Sequence, residues 1–166
     1  MPQELEDQKR RIMDELDLEP IMVKAMDKDE GYGWSLDFTK SVAQEYRRYL
    51  SLTLKHPDIP VVPSTYVDDF WHLHILDTLK YVEDCDNYLG GFLHHFPYFG
   101  MRGEEDARNL HNAWLNTRKL YENAFGSIPE SIWPLSTRCP NCGVRCRTNR
   151  TPFRNEVRPR LADIQA

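Results

Sequence analysis

Apolar residues return at helical spacing along most of this chain, and prolines decide where each run must stop. Leu36, Phe38, Val42, Tyr46, Tyr49, Leu50 and Leu54 keep the three-to-four-residue step of one helix face. Ser35 stands where an N-cap belongs. The run ends at "HPDIPVVPS", because each of its three prolines removes a backbone donor and crowds the preceding turn. A chain punctuated this way folds as helices joined by stiff, extended loops.

The same reading extends in both directions. Leu5, Ile12, Met13 and Leu16 mark a helix near residues 3 to 17, closed by Pro20, and a short helix follows from Pro20 to about Asp29. Thr65 with Asp68 three residues on resembles a capping box and opens a helix that Gly90 and Gly91 end. Ala107, Leu110, His111, Trp114, Leu115, Tyr121 and Phe125 share the apolar side of a helix from about Glu104 to Phe125, with Gly126 as its C-cap. No stretch alternates as a strand would, and nothing repeats. The expectation is an all-α fold, a bundle of about five helices over residues 1–137, with an irregular Cys/Arg-rich appendage at 138–166. Trp71, Phe70, Ile75, Leu110, Trp114 and Tyr121 are expected in its core.

"VDDFWHLHILDT", residues 67–78, carries the chemistry. Side chains two apart on a helix diverge, so His72 and His74 cannot grip one atom together. Stepping about 100° per residue from Tyr66 gathers Val67, Phe70, Trp71, Ile75, Leu79, Tyr81, Val82 and Cys85 in one arc. His74 projects into its middle, and His72 lies at its edge, one turn after Asp68. Asp68 and His72 therefore form the productive pair. His74 is either a satisfied core histidine or an additional metal ligand. Five of the six histidines fall between residues 72 and 111, with His94 and His95 in "LGGFLHHFPYFG", Glu104 and Glu105 in "GEED", and His111 beyond. Imidazoles and carboxylates converging from several helices suit zinc, iron or manganese, or a proton-transfer site. The candidate catalytic residues are Asp68, His72, His94, His95 and Glu105, and the candidate ligands of a divalent metal there are His72, His74 and His95.

A second set lies in "CPNCGVRC". Cys139 and Cys142 have the spacing of half a zinc ribbon, and Cys146 adds a third thiolate. Zinc is the expected cofactor, its fourth ligand being Cys85, a histidine or a partner's residue. Unliganded or reversibly oxidised thiols are the alternative. The net charge of -5 hides an asymmetry, since residues 138–160 hold seven arginines against the single acid Glu156. Such an arm docks on its own body, on a partner protein or on nucleic acid. The apolar runs are short and broken by charge, which argues against a membrane span, and "MPQELEDQKRR" does not read as a signal peptide. The expected compartment is the cytoplasm.

At these residues the chain resembles the bacterial relatives of the glycine-rich domain-containing proteins. Asp68, Trp71, His72, His74, Thr78, Tyr81, Cys85, Gly90, His94, His95, Pro97, Thr117, Tyr121, Phe125, Gly126, Trp133 and Pro134 match that pattern over about residues 60 to 135. The resemblance implies no assigned reaction, and the glycine-rich segment that gives the family its name is not in this chain. No phosphate-binding loop, dinucleotide fingerprint or serine elbow is present. Two classes of function are expected: a metal-dependent enzyme or metal-handling protein built on the His/Asp/Glu cluster, or a non-catalytic interaction module or accessory subunit docking through its arginines.

Overall fold

A computed structural model describes residues 2–135, 147–149 and 157–164, the middle group by its backbone alone. Within them the fold is all-α. The helices are α1 (Pro2–Asp14), α2 (Glu19–Met26), α3 (Leu36–Lys55), α4 (Thr65–Leu76), α5 (Thr78–Asp84) and α6 (Glu104–Phe125). A π-helical turn, Cys85–Leu89, prolongs α5, and the strands β1 (His94–Phe96) and β2 (Arg147–Asn149) pair antiparallel. Pro20 does not close the first helix. It sits in the first turn of α2, where a missing N–H costs nothing.

Helix α3 is the spine, packed by α1, α2 and α4. Ser35 caps it as expected, its side chain accepting from the Phe38 N–H at 3.3 Å. Helix α6 is joined to it through a buried carboxylate: Glu45 accepts from the Tyr121 hydroxyl at 2.7 Å, the Trp133 indole at 3.0 Å and the Arg48 guanidinium at 3.0 Å. The proline loop is exposed at Asp58 and Ile59 but turns inward from Val61 to Ser64, with Val61 and Val62 in the core and the Val62 N–H held by the Thr117 hydroxyl at 2.9 Å.

Three local expectations fail, each for a physical reason. The cap of α4 is Ser64, which accepts from the Val67 N–H, so Thr65 and Asp68 form no capping box. The helix drawn through residue 89 is broken at Asp77, whose carboxylate leaves the helical path to cap α5 through the Lys80 N–H. Beyond that break Leu79, 80% exposed, and Val82, exposed, turn outward, and before it Ile75 is only half-buried. On α6 the inward seam runs Asp106, Leu110, Trp114, Thr117, Arg118, Tyr121, which leaves His111 and Leu115, one position off it, exposed. Trp71, Phe70, Leu110, Trp114 and Tyr121 are buried as expected.

The two-stranded ladder had no alternating pattern to announce it. His94 stands opposite Asn149, His95 opposite Thr148 and Phe96 opposite Arg147, so β1 finds its partner some fifty residues on, across the boundary drawn at residue 138. Gly90 ends the π-helical turn at φ 69°, a left-handed conformation that glycine adopts without strain.

Truncation separates the true core from the mis-phased arc. Trp71→Ala is expected to cost about 3–5 kcal/mol in urea unfolding, and Leu79→Ala to stay within about 0.5 kcal/mol of the parent. Equal losses at the two positions would restore the unbroken helix.

Candidate metal centre

Because Ser64 caps α4, the Asp68 carboxylate is free of capping duty and turns inward, 2% exposed. His72 follows one turn later on the same face. Its Nε2 lies 3.1 Å from one Asp68 oxygen. The other oxygen is met from across the chain by His95 Nε2, also at 3.1 Å. The Gly90–Gly91 turn reverses the chain so that β1 runs back past α4, and the His95 ring settles 4.4 Å from the ring of Trp71. The two imidazole nitrogens are then 2.8 Å apart. Asp68, His72 and His95 are the only group of this kind among the described residues with the donor set of a metal site.

The electrostatics follow from burial. Burial alone would raise the Asp68 carboxyl, but hydrogen bonds from His72 and His95 outweigh it and hold it well below the usual carboxylate range. His72 is raised by its bond to Asp68, against the opposing effect of burial. Beside them Asp69 is pushed up to about 6, first by burial and then by the charge on Asp68. The Tyr32 hydroxyl, which donates to the Asp69 carbonyl at 3.0 Å, is pushed up to about 12 by burial and by both carboxylates. The site sets two imidazoles against the buried Asp68 carboxylate, with Asp69 and Tyr32 beside them.

The remaining expected site residues are elsewhere. His74 is 2% exposed, and both its nitrogens are engaged, Nε2 with Asp84 at 2.8 Å and Nδ1 with the Tyr46 hydroxyl at 2.8 Å. With a proton on Nε2 facing the Asp84 carboxylate, Nδ1 accepts from Tyr46, and no lone pair is left for a metal. The satisfied core histidine is the alternative the structure draws, with Tyr46 and Asp84 as its partners. His94 points away from His95, as neighbours on a strand do, and rests against Phe92. Glu105 is exposed on α6 and lines a different cleft with Arg102, Asp106 and Asn109. Glu104 and His111 are exposed as well. Cys139, Cys142 and Cys146 lie outside the described residues, and Cys85 is a buried free thiol.

Sequence reasoning missed Asp69, Tyr32 and the ring of Trp71 as neighbours of the site. The doubled aspartate was a signal for the first. Nothing in "GYG" marked the second. No helix among the described residues is long and apolar enough to cross a membrane.

The assignment of His74 has a direct test. Long-range proton–nitrogen spectra at neutral pH are expected to show His74 as the Nε2–H tautomer, and Tyr46→Phe to shift only its Nδ1 resonance. An Nδ1–H tautomer would undo the network drawn here.

Residues 8–125 match the family described as UCP032817-like, and the chain belongs to that family. No curated protein and no solved structure matches it.

Proposed function

We propose that this UCP032817-like protein holds one divalent transition metal on Asp68, His72 and His95, with coordination positions left open for water and substrate, and that the centre is a metal-dependent active site. One observation carries the reading. Three short contacts join two Nε2 atoms and one carboxylate, yet each Nε2 brings at most one proton. If both protons go to Asp68, two N–H groups face each other at 2.8 Å. If one nitrogen donates to the other, a lone pair faces an anionic oxygen. In every arrangement one contact opposes like groups, whereas a single cation on the open side serves all three.

The spacing also speaks to the metal. Donors about 2.1 Å from an ion stand about 3.0 Å apart on an octahedral face and about 3.4 Å apart on a tetrahedron. The 2.8 Å between the two nitrogens fits an octahedral edge better than a tetrahedral one, while the two 3.1 Å contacts go to different Asp68 oxygens and define no single face. The preference for iron or manganese over four-coordinate zinc rests on that nitrogen pair and on the two-histidine, one-carboxylate donor set. Two histidines and one carboxylate on a face leave the other positions open. There the ion supplies Lewis acidity or an activated water, and the half-exposed His72 edge supplies access. Kinship with the glycine-rich domain-containing proteins belongs to the same proposal and rests on motif residues that include all three ligands. Zinc on Cys139, Cys142 and Cys146 rests on their spacing alone.

Element-resolved analysis of the purified 166-residue chain tests the reading. One equivalent of iron or manganese is expected, lost in His95→Ala and Asp68→Ala and kept in His74→Gln and in Cys139→Ser. Metal that survives His95→Ala but leaves with Cys139→Ser would place the only ion on the thiolates and end the proposal.

A further inference from the structure

We infer that the Tyr81 hydroxyl is the positioning group that fixes His95 over Asp68 and His72, an inference that rests on the metal-centre reading and adds the residue controlling its affinity. Tyr81 is buried on α5, between His72 and His95 in the sequence. Its oxygen accepts from the Trp71 indole N–H at 3.0 Å and donates to the carbonyl of Leu93. Those partners reach His95 by separate routes. Trp71 provides the ring against which the imidazole lies, at 4.4 Å between centroids and 37° between planes. Leu93 is the backbone two residues upstream, at the foot of β1.

One oxygen thus anchors both the surface the imidazole rests on and the chain it grows from. The turn just before it holds two glycines, Gly90 at φ 69° and Gly91 at φ 159°, which bring no side chain to pack against the body. Trp71 is also the residue next to His72, so the same bond steadies the helix turn that offers the second imidazole. Burial pushes the Tyr81 phenol far above its usual range, which keeps the proton that Leu93 receives on the oxygen. His74 shows the contrast. It has its own buried tyrosine, Tyr46, at 2.8 Å, and that hydroxyl serves the core histidine. The fold therefore contains a comparison: the Tyr81 ring also lies edge-on against His74, 4.9 Å between centroids, but of the two buried hydroxyls only that of Tyr81 bonds to Trp71 and Leu93, the neighbours of His95.

The experiment uses the full chain, manganese(II) as the probe, and two readouts. Manganese prefers imidazole and oxygen donors over thiolates, so the cysteine segment does not compete for it. Its free and bound forms are counted by electron paramagnetic resonance, while the His95 ring resonances are followed in the metal-free protein. Tyr81→Phe is expected to raise the manganese dissociation constant about 10–100-fold, the range for losing a group that orients a ligand, and to shift or broaden the His95 ring signals. Tyr46→Phe is expected to leave both readouts at parent values even where it lowers the melting temperature as much. Should Tyr81→Phe fail to fold, Trp71→Phe, which keeps an aromatic ring beside His95 but removes the indole donor together with part of the buried ring, is expected to show a loss in the same direction. Parent-like affinity with unmoved His95 signals in the folded variant, or an equal loss in Tyr46→Phe, overturns the inference. A parent protein that takes up no manganese refutes the metal centre instead, and the His95 resonances of the metal-free variants then decide the positioning role alone.

Discussion

A carboxylate taken out of water must be given donors or an opposite charge, and the burial of Asp68 imposes that demand at the centre of this fold. Leaving such a group unpaired costs several kcal/mol. The structure meets the demand from two directions: His72 arrives from the same helix one turn later, and His95 from a strand beyond the helix end. Much of the local architecture reads as the means to that encounter. Ser64 takes over the capping of α4 so that Asp68 can turn inward, Asp77 stops α4, and the glycine turn after the π-helical segment reverses the chain toward the site.

The two histidines of "WHLH" show how one motif serves two ends. Two residues apart on a helix, they look in different directions, so a single turn of α4 supplies one imidazole to the open site and one to the core. His74 spends both nitrogens on Asp84 and Tyr46. That network packs α4 against α3 and α5 with no buried lone pair left over, while Trp71, between the two histidines, backs His95. Core and candidate centre are built from alternate side chains of the same turn.

How much of this was legible in the amino-acid sequence follows from the range of the interactions involved. Helical periodicity and Ser35 are local signals, and they located α3 and the cap that starts it. The Asp68–His72 pair is also local, an i, i+4 relation, and it was found. Thr65 and Ser64 are both good caps, so the choice between them turned on tertiary burial that the sequence does not state. The break at Asp77 was available as a cap-forming residue in mid-helix, but a helix drawn straight through it carried Leu79 and Val82 to the wrong side. His94, His95 and Glu105 follow α4 closely in the sequence and look equivalent there, and the path of the chain after Gly90 decides which imidazole faces Asp68. Cys139, Cys142 and Cys146, whose spacing is the firmest short-range signal in the chain, lie outside the described residues.

The central claim is that Asp68, His72 and His95 grip one ion, and anomalous diffraction from crystals grown with manganese(II) addresses it most directly. The account expects a single anomalous peak on the open side of the triad, about 2.1 Å from both Nε2 atoms and from at least one Asp68 oxygen, with no peak beside His74. A triad that stays hydrogen-bonded and peak-free while manganese sits at another site would contradict it.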